Sequence, residues 1–255
     1  MLNNKNKSDS KNLTDMKKTI FAIALMLFAV SAQAKTLIVY YSYTNNVERI
    51  VNELRSQIEA DVVEVEPAEK GLDYAANNYA VGSAQIAAIR NNPNEAASYP
   101  AIDPVNVDMS QYSTVIIGAP LWWSNMAAPL QSFLFQYGKE MSGKNIGLIV
   151  SSASSGISGV ESDAKRLIPD GNFLSPSLWI RSAQTSNAKA LLQNWLQAID
   201  YNNLISGIEN IEQDIYRSIT VYSLSGARLL ADAESTASLP AGLYIINGKK
   251  RLISK

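Results

Sequence analysis

The chain alternates between short apolar runs and longer segments in which apolar residues recur every three or four positions. Five runs have the length and β-branched content of strands, and they lie at residues 36–41, 61–66, 114–118, 145–150 and 173–181. Helical spacing is seen at residues 47–60, 74–90, 128–137, 160–167 and 187–201. The central runs are apolar throughout, which is typical of strands that are buried on both faces. The alternation predicts an α/β fold, a doubly wound parallel sheet of five strands with helices on both sides.

The pattern changes near the carboxyl end of the chain. Short strand-like runs lie at residues 219–223, 227–230, 243–246 and 249–253, and Asn247-Gly248 is a strong signal for a two-residue hairpin turn. We therefore predict a main domain over residues 35–205 and a small C-terminal β module over residues 216–255. About forty residues are too few for a secure core, so we expect the module to pack on a neighbour.

The amino end of the chain has the features of a secretory signal. Lys17 and Lys18 precede an apolar run at residues 20–30, and Ala-Gln-Ala at 32–34 predicts cleavage before Lys35. Residues 1–15 are then an upstream extension. The alternative is a membrane anchor, but a run of 11 apolar residues is too short to span about 30 Å of hydrocarbon. We expect an exported protein without a membrane span, with the periplasm favoured over the cell surface or the extracellular space.

Charge is unevenly distributed along the chain. Residues 35–215 hold 11 basic and 19 acidic side chains, a net charge of −8, whereas residues 216–255 hold 6 basic and 2 acidic ones, a net charge of +4. An acidic main domain argues against nucleic acid and favours neutral or basic partners. Solubility alone explains the acidic balance equally well. The opposite signs also give an electrostatic reason for the module to dock on the domain.

The chain contains no His and no Cys, so the usual acid–base and thiol chemistry must come from elsewhere. A bound cofactor is the natural source, and we predict neither a catalytic side chain nor a metal. Hydroxyls of Ser42 and Thr44, the Asn46 amide and the free N–H groups of a helix start can bind a phosphate after the first strand. The same residue types also cap helices, and taken alone this loop is more typical of a cap.

Two further loops follow the third and fourth strands. Trp122 and Trp123 offer an aromatic face in the first of them, although two core aromatics are the simpler interpretation of the pair. The small residues 151–156 let a ligand approach the backbone closely, although alone they are an ordinary loop. In strand order 2-1-3-4-5, counted along the chain, all three loops meet at the carboxyl ends of the strands. Together they predict one site for a flat, phosphorylated cofactor. The absence of a GKS/T triplet and of GxGxxG argues against nucleoside triphosphates and dinucleotides.

At these loops the sequence resembles flavodoxin, and specifically the exported flavodoxin-like proteins of Gram-negative anaerobes. Residues 39–46, VYYSYTNN, are similar to the family phosphate motif YxSxTGNT, and residues 118–126, GAPLWWSNM, to the G-x-P-x-W-W-G loop. Residues 150–156, VSSASSG, are similar to T-S-G-G-S-G, and Trp195-Leu196 fits a recurring WL pair. The resemblance covers about residues 35–200.

The resemblance implies noncovalently bound flavin mononucleotide (FMN), held at three places. The phosphate group would lie among Ser42, Thr44, Asn45, Asn46 and Val47. The isoalloxazine ring would lie against Pro120, Leu121, Trp122, Trp123, Ser124 and Asn125, with one indole stacked on it. The pyrimidine edge would be bound through backbone N–H groups of the loop that holds Ser152, Ala153, Ser154 and Gly156.

Three departures from the family pattern lead us to expect FMN binding at reduced affinity. Asn45 replaces a Gly, which is tolerable because Asn adopts positive φ more readily than most residues. Val47 replaces a Thr, and one lost hydrogen bond to a charged group costs about 1.5–3 kcal/mol. Ala153-Ser154 replaces Gly-Gly, which restricts the conformations of that loop.

The resemblance implies an exported FMN electron carrier that serves a redox partner protein or a small-molecule electron acceptor. One alternative is an FMN-dependent NAD(P)H quinone or small-molecule reductase, in which Tyr74, Tyr79 and the connection between the second and third strands wall a substrate pocket. A second alternative is a non-redox exported binding module. The tail resembles the end of Bacteroidetes-type sorting modules but is shorter, so a β-cap on the main domain stays open as well.

Overall fold

The computed structural model describes residues 35–206, 209–210, 219–233 and 236–254. The predicted upstream extension and signal peptide, residues 1–34, lie outside the described residues. The main domain consists of β1 (Lys35–Tyr40), α1 (Asn46–Arg55), β2 (Asp61–Glu64), α2 (Ala76–Asn91), β3 (Tyr112–Trp122), β4 (Asn125–Met126), α3 (Ala128–Tyr137), β5 (Asn145–Ser152), α4 (Ser158–Leu167), β6 (Asn172–Phe173), β7 (Leu178–Arg181), α5 (Ala188–Ala198) and α6 (Tyr201–Ser206).

The main sheet has the strand order β2-β1-β3-β5-β6, with β7 also paired to β5. All of these pairs are parallel, and only β4 runs antiparallel, as a short partner of β3. Counted along the chain, this is the predicted order 2-1-3-4-5, so the sequence-based fold class is confirmed. The predicted fifth strand, 173–181, is divided into two short strands, β6 and β7.

Two apolar layers lie on the two faces of this sheet. One face packs on α2, α3 and α4, whose buried side chains include Ile86, Phe133 and Val160. The other face packs on α1 and α5, which bury Ile50 and Trp195. Helices on both faces leave the carboxyl ends of the strands open, and in such sheets this is the edge where ligands bind.

Helix α2 differs from the sequence prediction at its start. The helical pattern began at residue 74, but the helix begins at Ala76. Inside it, Asn77, Asn78 and Tyr79 have φ of 51°, 54° and 61°, so they are left-handed. This conformation costs most residues about 1–2 kcal/mol relative to the right-handed form, and Asn tolerates it better than Tyr. Side-chain spacing carries no information on handedness, so periodicity could not reveal this segment.

Beyond the main domain, a second sheet has the order β10-β9-β11-β12-β8. Its strands are β8 (Glu209–Asn210), β9 (Ile219–Tyr222), β10 (Arg228–Ala233), β11 (Gly242–Ile246) and β12 (Lys249–Ile253). The predicted hairpin turn between β11 and β12 is present, with positive φ at Asn247 and Gly248. The sheet has its own apolar cluster, and β8 lies before the predicted start of the module at residue 216. Residues 216–218, 234–235 and 255 of the predicted module lie outside the described residues.

Across the described residues, no helix combines the length and the apolar character needed to cross a membrane.

Candidate functional site

A cavity of about 710 Å³ lies where the carboxyl ends of β1, β3 and β5 meet. This volume is within the range of about 300–1,000 Å³ that is usual for small-molecule sites. None of the described residues that line it carries a charged side chain. The lining residues are Ser42, Tyr43, Thr44, Asn46, Val47, Tyr74, Ala75, Tyr79, Gly82, Pro120, Leu121, Trp122, Trp123, Ser151, Ser152, Ala153 and Ser182.

The cavity brings together the three loops that the sequence singled out. The predicted site residues that line it are Ser42, Thr44, Asn46, Val47, Pro120, Leu121, Trp122, Trp123, Ser152 and Ala153. The predicted site residues that do not line it are Asn45, Ser124, Asn125, Ser154 and Gly156. Tyr74 and Tyr79, which the sequence assigned to a substrate wall, are at the cavity. Ser182 was missed, because a lone Ser after the last strand of the sheet gives no signal.

The first loop presents a set of unpaired backbone donors. Within the described residues, the N–H groups of residues 44–47 donate to no other group of the protein. Asn45 has φ 60° and ψ 6°, so the replacement of Gly by Asn preserves a left-handed turn here. Free N–H groups at the start of α1, together with the helix dipole, form a seat for an anion.

Ser42 caps helix α1 and also lies at the predicted phosphate site. Its Oγ accepts a hydrogen bond of 3.2 Å from the Glu48 N–H, which is in the first turn of α1. The hydroxyl therefore caps the helix while the residue also lines the cavity. Asn46 Nδ2 donates to Thr44 Oγ1 over 3.1 Å and fixes the shape of the loop. Capping by Ser42 leaves the preceding N–H groups free for a ligand.

Gly118 lets the start of α1 approach the sheet. A Cβ at this position would lie 3.0 Å from Val47 Cγ1 and 3.0 Å from Tyr40 Cβ, closer than side chains normally pack. Val47 is only 2% exposed and its side chain is apolar. It can therefore bind a ligand's polar groups only through its backbone, where the N–H is free. The Gly in the second motif thus positions the anion seat of the first.

The second loop is a tight hairpin rather than the open loop that the sequence predicted. Strand β3 continues through Pro120 to Trp122, and Trp122 pairs with Asn125 of β4. The two turn residues, Trp123 and Ser124, have φ of 46° and 62°. Two-residue turns with positive φ at both positions normally carry Asn-Gly, so a Trp-Ser turn is strained. Such strain is most common at binding sites, where the surrounding structure maintains it.

The two indoles have different surroundings. Trp122 is partly buried, and its ring centroid lies 4.8 Å from Tyr74, 5.7 Å from Tyr41 and 6.4 Å from Tyr43. Trp123 is 42% exposed and contacts Tyr79 edge-on at 6.4 Å. Both indoles therefore line the cavity, but Trp122 packs among other aromatic side chains whereas Trp123 is largely exposed.

Helix α4 holds the hairpin from behind. Asp163 Oδ2 accepts hydrogen bonds from Met126 N at 2.9 Å and Asn125 Nδ2 at 3.0 Å. Its other oxygen pairs with Arg166 at 3.1 Å, and Arg166 also donates to Gln131 Oε1. The Asp163 side chain is 9% exposed and therefore shielded from water, whereas the Arg166 side chain is 33% exposed. Neither residue lines the cavity, and their contacts fix the position of the hairpin that carries the indoles.

The third loop offers donors beside a hydroxyl that is already satisfied. Ser152 Oγ accepts from Trp179 Nε1 at 2.8 Å and donates to the Ser155 carbonyl at 2.8 Å. In the described part of the chain, the N–H groups of residues 153–156 have no protein acceptor. This loop can therefore bind the polar edge of a ligand through its backbone, but not through the Ser152 side chain.

Tyr74 brings a buried hydroxyl to the cavity wall. Its OH and the nearby Gln85 Oε1 are both buried, and neither makes a hydrogen bond of good geometry with the described residues. Burial raises the pKa of Tyr74, and proximity to the Gln85 amide offsets part of that rise. Burial also raises the pKa of Tyr41 beside Trp122. Both phenols therefore stay protonated at neutral pH.

Comparison with known proteins agrees with this architecture. Residues 35–199 match the family model described as Flavodoxin. A candidate flavoprotein from Bacteroides eggerthii is 23% identical, with a TM-score of 0.52, over 66% of this chain and 98% of that one. A flavoprotein from Lactobacillus acidophilus, solved in complex with FMN, is 22% identical over 62% and 99%, with a TM-score of 0.48. No curated protein sequence matches the chain.

Proposed function

This chain belongs to the flavodoxin family, and we propose that it is an exported protein that binds FMN and transfers electrons to a redox partner. When bound, FMN supplies the redox chemistry, which a chain without His or Cys has few other means to supply.

The observation that carries the proposal is the meeting of three complementary surfaces in one cavity. The loop with free N–H groups at residues 44–47 reaches the cavity through Thr44, Asn46 and Val47, and the hairpin reaches it through the two indoles. Ala153, the first residue of the loop with free N–H groups at 153–156, lies at a third part of it. FMN has a phosphate, a flat ring system and a polar pyrimidine edge. The residues present therefore fit each part of the cofactor.

The protein's own residues would bind the phosphate without a cation. No Lys or Arg is among the described residues that line the cavity, so backbone dipoles and the start of α1 neutralise the charge. The hairpin shields one side of the ring from water. The net charge of −8 over residues 35–215 opposes added negative charge at the cofactor. We therefore expect a low reduction potential.

Export and partner choice belong to the same proposal. Lys17, Lys18 and the apolar run at residues 20–30 support a cleaved signal and delivery to the periplasm, with the cell surface or the extracellular space as alternatives. Fractionation of the native cells and sequencing of the mature amino terminus test this, with Lys35 expected as the first residue. An acidic main domain favours a neutral or basic partner.

Titration with FMN and with riboflavin tests the cofactor assignment. FMN should bind and give a yellow protein, and riboflavin, which lacks the phosphate, should bind at least tenfold more weakly because about 1.4 kcal/mol corresponds to a factor of ten. Equal affinities for FMN and riboflavin would show that the loop at residues 44–47 does not bind the phosphate. A colourless protein with no measurable FMN affinity would instead favour a non-redox binding module.

A further inference from the structure

Two of the aromatic side chains that line the cavity, Tyr79 and Trp123, are exposed rather than buried in the core. Trp122 lines the cavity but is partly buried, in contact with Tyr41, Tyr43 and Tyr74. Trp123 and Tyr79 also line the cavity, and they are 42% and 51% exposed. Two large exposed aromatic side chains in mutual contact beside a cavity form a surface that a planar ligand can cover.

A short segment, residues 73–79, keeps these two rings in place; we call it the strap. At its start, Tyr43 OH donates to Asp73 Oδ1 at 3.1 Å, and the Ala75 N–H donates to Tyr43 OH at 3.0 Å. At its end, Tyr79 meets Trp123 edge-on. The left-handed residues that end the strap are strained, and strain of this kind persists where the surrounding contacts maintain it.

Gly82 keeps the space behind these rings narrow. A Cβ at Gly82 would lie 3.0 Å from the Trp123 ring and 3.4 Å from the Trp122 ring. Helix α2 and the hairpin are therefore in close contact, and the exposed faces of Tyr79 and Trp123 are positioned by the fold rather than left free.

The lining also limits the charge of a second ligand. Among the described residues, no basic side chain lines the cavity. The free N–H groups at the start of α1, residues 44–47, form the anion seat, and those of residues 153–156 are assigned to the polar edge of FMN. If FMN occupies that seat, a second anionic group in the cavity would have no opposite charge to compensate its desolvation. A nicotinamide dinucleotide, with two phosphates, fits this lining poorly, whereas an uncharged ring does not face this cost.

We infer that Tyr79 and Trp123 form the binding surface for a planar, uncharged aromatic electron acceptor of the quinone class, next to FMN. This inference rests on the proposed function. When bound, reduced FMN would supply the acceptor with two electrons and two protons, and the acceptor would leave as its dihydroxy form. A reduced electron-transfer protein would return the two electrons to FMN, and water would return the two protons. Tyr79 and Trp123 bind and orient the acceptor and undergo no chemical change.

Equilibrium binding to the FMN-loaded full-length protein tests the inference. The probes are menadione, an uncharged naphthoquinone, and a naphthoquinone sulfonate with the same ring system. Menadione should bind more tightly than the sulfonate. In Tyr79→Leu, menadione affinity should fall about 2- to 10-fold, since aromatic pairing exceeds simple burial by that factor, and this loss should exceed any loss of FMN affinity.

Tyr112→Leu is the matched control, because Tyr112 lies at the other end of β3 and donates only to Asp61 there. Its affinities for FMN and menadione should equal those of the unchanged protein. If FMN does not bind, the proposed function fails and the inference fails with it. If FMN binds but menadione does not, binds Tyr79→Leu equally well, or binds no better than the sulfonate, only the inference is overturned. Reoxidation by protein acceptors alone would likewise overturn it.

Discussion

Asn45 makes the turn from the first loop into helix α1, at φ 60° and without a side-chain capping hydrogen bond. Asn45→Ala should lower the free energy of unfolding by about 1 kcal/mol, because Ala adopts the left-handed conformation less readily than Asn does. Asn45→Gly should stay close to the native value, since Gly adopts positive φ freely. Denaturant unfolding measures both.

FMN titration of the same two variants connects this turn to the cofactor. The Ala variant should also bind FMN more weakly, because its N–H groups no longer point to one place, whereas the Gly variant should not. Equal behaviour of the two variants would show that the left-handed turn does not matter for the seat.

At the residue scale, the sequence indicated which loop residues meet but not what their side chains bind. Ser42 and Ser152 were both predicted near the cofactor and both line the cavity. Their hydroxyls are bound to Glu48 N–H in one case and to Trp179 and Ser155 in the other. A side-chain rotamer depends on tertiary neighbours, and a motif does not contain them.

At the scale of elements, the contact between the hairpin and helix α4 leaves the least room for an added side-chain atom. A Cβ at Gly159 would lie 1.6 Å from the Ser124 carbonyl oxygen, so the turn has to move if this residue changes. Gly159→Ala should lower the free energy of unfolding by about 1–3 kcal/mol, as overpacking does, and should reduce FMN affinity.

Gly156→Ala is the matched control for stability, since a Cβ there meets nothing within 4 Å. Thermal unfolding compares the two variants. FMN titration and tryptophan fluorescence compare Gly159→Ala with the unchanged protein, because Gly156 itself lies in the loop that would bind the pyrimidine edge. A harmless Gly159→Ala would mean that the hairpin adjusts without cost.

Asp163 gives a second prediction about the same pair of elements. Asp163→Asn removes the ion pair with Arg166 and leaves one acceptor oxygen in place of two, so either Arg166 or the two donors that share Oδ2, Asn125 and Met126, lose their acceptor. Leaving a shielded donor unpaired costs about 1–3 kcal/mol, so the free energy of unfolding should fall by this amount. Asp170→Asn, at an exposed position with φ 59° that Asn tolerates, should be neutral. Denaturant unfolding of the two variants side by side decides the question.

Periodicity predicted where the strands and helices lie, but it predicted neither the hairpin nor the strap. Apolar spacing located the parallel strands and α3, whose bounds Ala128–Tyr137 were predicted as observed. The hairpin was missed because its turn is Trp-Ser rather than Asn-Gly, and the strap was missed because left-handed residues leave the side-chain pattern unchanged. Both are held by contacts with other elements, which a local pattern does not report.

For the molecule as a whole, charge predicts an unusual salt dependence. The seat has no Lys or Arg, and residues 35–215 carry a net charge of −8 that repels the phosphate. Salt screens this repulsion, so FMN affinity should hold or rise as ionic strength increases. In Thr44→Lys, a new ion pair should make the affinity fall with salt instead. FMN titration over a range of salt concentrations checks the sign, and a steep loss of affinity in the unchanged protein would contradict it.

The overall architecture was predictable because alternation of strands and helices permits few topologies. The doubly wound fold type implied the strand order, which the structure has. Short strand-like runs predicted the second sheet, although not its strand β8. How the predicted boundaries at residues 205 and 216 divide the protein into folding units stays a prediction, as does the role of the basic tail.

The contacts at the two ends of the strap predict that the two halves of the cofactor bind cooperatively. The strap's first end is tied to Tyr43, in the loop that would bind phosphate, and its last residue touches Trp123, on the hairpin that would lie beside the ring. Ordering one end should make the other end easier to order, so fragments of FMN should help one another bind. Inorganic phosphate should tighten riboflavin, riboflavin should tighten phosphate by the same factor, and sulfate should imitate phosphate. The protein would then recognise the whole cofactor as more than the sum of its two halves.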